Sequence, residues 1–410
     1  MKKLSVFQNA VFNSTGAILY SLCQWAVTVA AVRISGNFEN SGILQLAISV
    51  TNIFYTVATY VPRTYLISDA KGEYSPGEYI GMRLISSFAA LFLCIVYAFI
   101  SGYRGTTVAC IALYMLFKVS EAMSDVFRAY SQMNYRMDFE FVSYLLRGVT
   151  SLTAFVIVLK ISGNILISIV FMALTGLTVV FIYDVAVAKN FVPVKPKFNR
   201  KKMKIAGKVC LPIVVASFIF TAYSTLPRQF LQSFFGTEAL GSYASVATPV
   251  VFVQLLSTSI FNPMLMKFTD LCNEKKTREI WKFFITIFAC LSGICILSFA
   301  GAYVLAEKAY IFLYGDVIKE YCSLVYAVIL CAVLYAACWL MDNVLIIIRR
   351  QWARMLSAFS GLVMIIIFGK RIVMNYGMNG VSYATALAYS SSIMISVIAI
   401  LAGGLFRKDA

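Results

Sequence analysis

Of 410 residues, 60% are hydrophobic and only 13% are charged, a balance too apolar for a water-soluble globular chain. The formal net charge of +17 is therefore read as loop charge that orients helices and meets anionic lipid, and the long hydrophobic runs around it exclude a nucleic-acid-binding field. Histidine is absent, which removes histidine acid–base catalysis and most zinc sites, and the ten cysteines stand singly without disulfide or metal spacing.

Taken in order, stretches long enough to cross a bilayer fall at 11–33, 42–61, 84–101, 106–127, 141–160, 164–187, 209–233, 240–261, 282–302, 322–348, 353–371 and 381–404. The first follows Met-Lys-Lys and imitates a signal peptide, but its apolar run continues to Val32 and is read as a helix. The predicted fold is an all-α polytopic membrane protein of twelve transmembrane helices in two six-helix lobes, 1–188 and 209–410. Between them lies a basic linker, 189–208, with eight Lys/Arg and no acid, which the positive-inside bias places in the cytoplasm. With both termini inside as well, 25 Lys/Arg fall on cytoplasmic segments and 7 on outer ones, while Lys118, Arg147 and Arg228 stay within spans. Trp281 and Trp352 fall at inner span ends, as an interfacial aromatic belt requires. The outer loops are short, the longest running from Tyr303 to Glu320, so neither face offers a soluble domain to hold a sugar acceptor. The lobes echo each other faintly: Gly42, Pro62 and Asp69 are matched by Gly241, Pro263 and Asp270, which suggests a parallel repeat with a site between its halves.

Polar residues inside spans carry the functional signal, since each costs free energy unless it meets water or a partner. Gln45, Ser49, Asn52, Thr56, Thr59 and Arg63 form a helical stripe along the second span, and Ser217, Thr221, Ser224, Arg228 and Gln232 form another along the seventh. Both read as walls of a wet cavity, whereas Ser382, Thr385, Tyr389, Ser392 and Ser396 in the twelfth read as helix–helix contact. Lys118, Glu121, Asp125 and Arg128 share one face of the fourth span, either as a self-neutralising ladder or as part of a site. Arg147 lies near the inner end of its span, where it could reach headgroups by snorkelling. Arg228 directly follows Pro227, whose missing N–H breaks a backbone hydrogen bond and frees a carbonyl one turn earlier, near Tyr223, so that a discontinuity of the helix is expected at Pro227. An arginine within a span costs about 2.5–3.5 kcal/mol, and an anion held by its planar fork is a better reason to carry it than packing. Arg147, Arg228, Lys118, Arg63, Asn52, Gln45 and Ser224 are thus the candidate substrate contacts, with Glu121, Asp125 and Asp342 as candidate carriers of a coupling ion. No cofactor, metal site or nucleic-acid partner is expected.

Gln132, Arg136, Asp138-Phe139, Ser143 and Arg147-Gly148 resemble the Q-x3-R-x-D-[FY]-x3-S-x3-R-G segment of the polysaccharide (Wzx-type) flippases of the MOP exporter superfamily. Gly36 and Gly42 look like that family's first outer loop, and Tyr314-Gly315 with Tyr376-Gly377 and Gly380 look like its later ones. The resemblance implies a MATE-like bundle in the bacterial cytoplasmic membrane that moves undecaprenyl-pyrophosphate-linked oligosaccharide by alternating access, for capsule, exopolysaccharide or O-antigen synthesis. It further implies no enzymatic step, coupling to Na+ or H+, and a polymerase and glycosyltransferases as partners. A multidrug or organic-cation antiporter of the same superfamily is the rival reading, and a membrane enzyme acting on prenyl-linked sugars a third.

Overall fold

Ser5 opens the first helix with a capping box to Gln8, and Gly36, at a left-handed φ of 68°, closes it; between them Val6–Ser35 forms α1. The computed structural model describes residues 3–69, 72–274, 276–348 and 350–402, and no strand occurs among them. After α1 come α2 (Glu39–Ala58), a short α3 (Arg63–Ser68) and α4 (Pro76–Ile100), which starts with proline at its first position and the Ser75 N–H donating to the Glu78 carboxylate at 2.8 Å. Next are α5 (Thr106–Met133), α6 (Met137–Ser162) and α7 (Ile165–Val179), which passes through a π-turn at Val180–Asp184 into α8 (Val185–Lys189). A turn over 190–192 and irregular chain over 193–199 lead to α9 (Arg200–Asn273), then α10 (Thr277–Tyr314), a 3-10 segment (Asp316–Leu324) and α11 (Val325–Ile347). Last are α12 (Gln351–Met364), a second π-turn (Ile365–Gly369) and α13 (Lys370–Ala402).

Helix is the only open-ended structure that satisfies its own backbone in hydrocarbon, which explains why the apolar runs all take it. Among the described residues ten helical stretches are long and apolar enough to span a membrane. Two of these exceed fifty residues, Arg200–Gln254 and Trp352–Ala402, and each contains a glycine with non-helical dihedrals. Gly236 has φ 86° and ψ 177°, and Gly377 has φ 55° and ψ −129°, both open to residues without a Cβ. Dividing the two stretches there gives twelve segments, in keeping with the expected count.

The chain packs as two compact units, Met1–Phe218 and Ile219–Ala410. In the first, α5 is central: it packs on α2, α4, α6 and α7, while α1 lies along α6. In the second, α13 packs on α11 and α12, and α10 on α11. Tyr223, Phe220, Tyr335 and Tyr389 form an aromatic cluster there, with ring centroids 5.2–6.1 Å apart.

Several expectations change on contact with the structure. The second-span stripe does not run straight to Arg63: α2 ends at Ala58, and Arg63 begins α3 after an irregular turn. Pro227 does not interrupt α9, whose non-helical dihedrals occur at Gly236 instead, so loss of one N–H there costs a hydrogen bond and not the helix. The expected outer loop from Tyr303 to Glu320 is largely helix, since α10 continues to Tyr314. The second half of the basic linker is helical too, forming the first turns of α9. Asp69 closes a loop, whereas position 270 lies within α9; the side chains of Pro263 and Asp270 are outside the described residues.

Candidate functional site

α5 carries Lys118, Glu121, Asp125 and Arg128 along one side, and the structure supplies each with a partner from the same unit. The Lys118 ammonium donates to Glu121 at 2.7 Å and stands 5.4 Å from the centre of the Tyr55 ring. The Tyr20 hydroxyl of α1 also donates to Glu121. Asp125 pairs away from its own helix, with Arg83 of α4 at 3.2 Å and Arg63 of α3 at 3.7 Å. The ladder is therefore self-neutralising only over its first pair.

Arg63 makes a bidentate pair with Glu140 of α6, at 2.6 and 2.7 Å, and Glu140 is fully buried. Arg83 has a second task at the end of α2, donating to the Ala58 and Val61 carbonyls at 3.4 and 3.0 Å. That helps to cap the carbonyls at the end of α2, where the Ser86 hydroxyl also donates to Ala58 at 2.7 Å. Arg128 is 8% exposed, has no acid within 4 Å among the described residues, and lies 4.2 Å from the centre of the Tyr144 ring.

Arg147 does not snorkel: it is 1% exposed. It donates to the Ser120 hydroxyl at 2.7 Å and to the Ser124 hydroxyl, which in turn donates to Asp184. The guanidinium and the Asp184 carboxylate are 3.6 Å apart, both almost wholly buried. Asp184 ends the π-turn that follows α7. A Cβ on Gly176 would meet the Ser120 hydroxyl at 2.6 Å, so glycine lets α7 approach α5 at this level.

Five cations, Arg63, Arg83, Lys118, Arg128 and Arg147, thus share the interior of this unit with four acids, Glu121, Asp125, Glu140 and Asp184. The Nε atoms of all four arginines are buried without a hydrogen-bond partner. Lys118, Arg63 and Asp125 are the members that retain access, at 17–19% of their side-chain surface. Of the polar candidates on α2, Gln45 is buried and Asn52 half-buried. Ser49 and Thr56 spend their hydroxyls on the Leu46 and Ile53 carbonyls of their own helix.

In the second unit Arg228 and Ser224 line a cavity of about 50 Å3 with Tyr243, Gln254, Thr385 and Tyr389. No acid lies within 4 Å of Arg228 among the described residues; Asp342 is taken by Arg354 of α12 at 3.0 Å. The α13 stripe divides: Ser396 and Ser392 make helix–helix contact, bonding to the Ser357 hydroxyl and carbonyl of α12 at 2.9 and 2.8 Å, whereas Thr385 and Tyr389 line the Arg228 cavity.

Sequence reasoning missed Glu140, Asp184, Arg83 and Tyr20. Asp184 carried a usable signal, being the sole acid between Glu140 and Glu238 and sitting inside an apolar span. The residues of the Q-x3-R-x-D motif turn out to build the α5–α6 junction. Arg136 forms a two-point bond to Asp138 at 2.8 and 2.7 Å and lies 4.3 Å from the Phe139 ring centre. Gly148 brings α6 against Cys23 of α1.

No protein-family model matches the sequence. A capsular polysaccharide biosynthesis protein, CapF of Staphylococcus aureus, is 24% identical over 291 residues, covering 69% of this chain and 72% of the relative. Among solved structures, an inward-facing MATE multidrug resistance transporter of the MOP superfamily superposes with a TM-score of 0.72 at 14% identity, covering 95% of this chain and 96% of the transporter. The lipid II flippase MurJ, in an inward closed conformation, gives the same TM-score and identity over 95% of this chain and 87% of the flippase. A bent-form MATE transporter of Vibrio cholerae, VcmN, aligns at 0.58 over 98% of both chains. The chain therefore has the multi-pass helical fold seen in the MATE transporters and in MurJ, and in sequence it is similar to a capsular polysaccharide biosynthesis protein.

Proposed function

We propose that the chain is a flippase that carries undecaprenyl-pyrophosphate-linked oligosaccharide from the inner to the outer leaflet of the bacterial cytoplasmic membrane. Its two six-helix lobes, 1–188 and 209–410, would work by alternating access, with both termini and the 189–208 linker in the cytoplasm. It performs no covalent chemistry. The observation that carries this reading is the sign of the buried charge. Every acid of the first-unit network, and Asp342 in the second, is held by a base within 4 Å, while Arg128 and Arg228 have no acid that close among the described residues. A site with spare cations suits a pyrophosphate; a cation exporter needs the reverse, a buried acid left for its cargo.

Lys118 and Arg63, the accessible cations of the network, and Arg228 with Ser224 in the second unit would contact the charged headgroup. Gln45 and Asn52 would face the same site, and Arg147 would hold the wall behind it. Glu121, Asp125 and Asp342, each paired with a base, would take up a coupling Na+ or H+ only as those pairs open. The prenyl tail stays in lipid. The sugar-biosynthesis relative supports this assignment, while the equal likeness to a multidrug transporter and to a lipid flippase leaves fold alone neutral between the rivals.

Reconstitution tests it. Proteoliposomes loaded with fluorescent prenyl-pyrophosphate oligosaccharide should expose it to an external quencher faster than empty vesicles, and should not accumulate ethidium. Ethidium export without lipid flipping would replace this reading by the cation antiporter.

A further inference from the structure

The basic stretch does not hang free between α8 and α9. The Lys197 N–H donates to the Gly77 carbonyl at 2.7 Å, at the start of α4. A Cβ on Gly77 would overlap the Lys195 carbonyl oxygen, and one on Gly81, a turn later, would overlap the Lys197 carbonyl oxygen. The two glycines therefore form a seat that admits the strap's backbone and nothing larger. Val192, Val194 and Met203 pack against a core that includes Tyr74, Tyr79 and Ile80. Phe191 meets Phe139 with ring centroids 6.1 Å apart. Lys202 pins the far end, donating to Glu78 at 3.1 Å and to the Glu73 carbonyl at 2.7 Å.

Seating the backbone turns the side chains outward. Of the eight cations in 189–208, Lys189, Lys195, Lys197, Arg200, Lys201, Lys204 and Lys208 are exposed, and among the described residues none of the seven has an acid within 4 Å. Beside them Phe198, Ile205 and Val209 are 59%, 50% and 52% exposed. A solvated loop has no use for bare aromatic and branched side chains among its lysines. At the headgroup level of a bilayer both belong, the cations on phosphates and the apolar groups at the acyl boundary.

We propose that the strap 189–208, held on α4 by Gly77 and Gly81, is a preformed docking surface for the headgroups of anionic phospholipids in the leaflet it faces. This surface is separate from the transport path and does not depend on the identity of the transported substrate. Each cation near an anionic surface strengthens binding by about five-fold, so the array is worth far more than any single lysine. The lipid phosphate is its ligand, supplied by the bilayer and not by free phosphate or the transported molecule.

The test uses the purified full chain in non-ionic detergent, titrated with phosphatidylglycerol or phosphatidylcholine and read by native mass spectrometry. The wild type should prefer phosphatidylglycerol by more than about ten-fold. The triple change Lys201→Gln, Lys204→Gln and Lys208→Gln, which alters no packed contact, should weaken phosphatidylglycerol binding by about a hundred-fold at unchanged melting temperature. Gly81→Leu keeps every cation but unseats the strap, and should also weaken it by at least about ten-fold. Undiminished binding by the triple variant overturns the proposal, as does a Gly81→Leu protein that binds like the wild type. Displacement of the lipid by inorganic pyrophosphate at matching concentration would overturn it too, since the array would then serve a phosphate headgroup in solution.

Discussion

Removing the Asp184 carboxylate is the sharpest perturbation the first unit offers. Asp184→Asn deletes the charge that faces Arg147 at 3.6 Å, where both side chains are about 1% exposed. An exposed pair of this length would be worth about 0–1 kcal/mol. Burial changes the magnitude: breaking one side of a buried pair strands the other charge and costs about 3–5 kcal/mol. Ser120 and Ser124 keep three of the Arg147 donor contacts, so the lower part of that range is expected. That is about a hundred-fold or more in the folding equilibrium. Unfolding of the purified protein in mixed micelles, titrated with dodecyl sulfate, measures it directly. A double change, Asp184→Leu with Arg147→Met, replaces the pair by apolar groups of similar bulk and should recover most of the loss. If Asp184→Asn unfolds at the same detergent fraction as the wild type, or the double variant is worse than either single, the pair is not the structural lock described.

The Lys118–Glu121 pair separates structure from transport: the double change to Gln should be as stable as the wild type, yet flip as poorly as Lys118→Gln alone, in the reconstituted quenching assay. Arg228→Ala should fold normally and lose flipping, with Arg228→Lys recovering part of it, because among the described residues no acid lies within 4 Å of this arginine. Arg354→Ala, by contrast, should lower stability by about 1–3 kcal/mol by orphaning Asp342, and Asp342→Asn should restore it in the same unfolding titration. Asp69 gives a pH signature at the linker side of the molecule. Burial alone would raise its carboxyl, but the Glu73 and Tyr74 N–H groups and the Tyr79 hydroxyl outweigh that and hold it below its usual value. A depressed folded value means the loop's stability is present above about pH 4, the unfolded carboxyl's range, and is lost as pH falls through the folded value. Protection factors at the Glu73 and Tyr74 amides, with the intrinsic pH dependence of exchange divided out, should fall on that descent in the wild type and be low and flat in Asp69→Asn.

The helical spans were legible because twenty-residue apolar runs admit little else, and the inward face of α5 was legible from its charge spacing. What the spacing could not supply was the partner. Arg63 meets Glu140 across 77 positions and Ser124 meets Asp184 across 60, distances at which helical period carries no information. Glu140 and Arg83 sat beside predicted span ends and passed for loop charge, though both are buried in helices that start earlier than hydropathy suggested. Pro227 misled in the opposite direction. Its ring forbids one hydrogen bond, but the residues around it keep helical dihedrals, and the break falls where a glycine can take φ 86°. The basic linker was recognised as charge alone. Its seat depends on Gly77 and Gly81, which a sequence presents as two unremarked glycines in a helix.

The central claim is lipid flipping, and the distribution of lipid-linked sugar between leaflets tests it most directly. In the native bacterium, deletion of this chain should leave prenyl-pyrophosphate oligosaccharide accumulated in the inner leaflet of the cytoplasmic membrane, protected from a membrane-impermeant glycosidase added to spheroplasts. The wild-type chain should restore cleavage, and Arg228→Ala at matched expression should not. An unchanged leaflet distribution in the deletion strain would contradict the account.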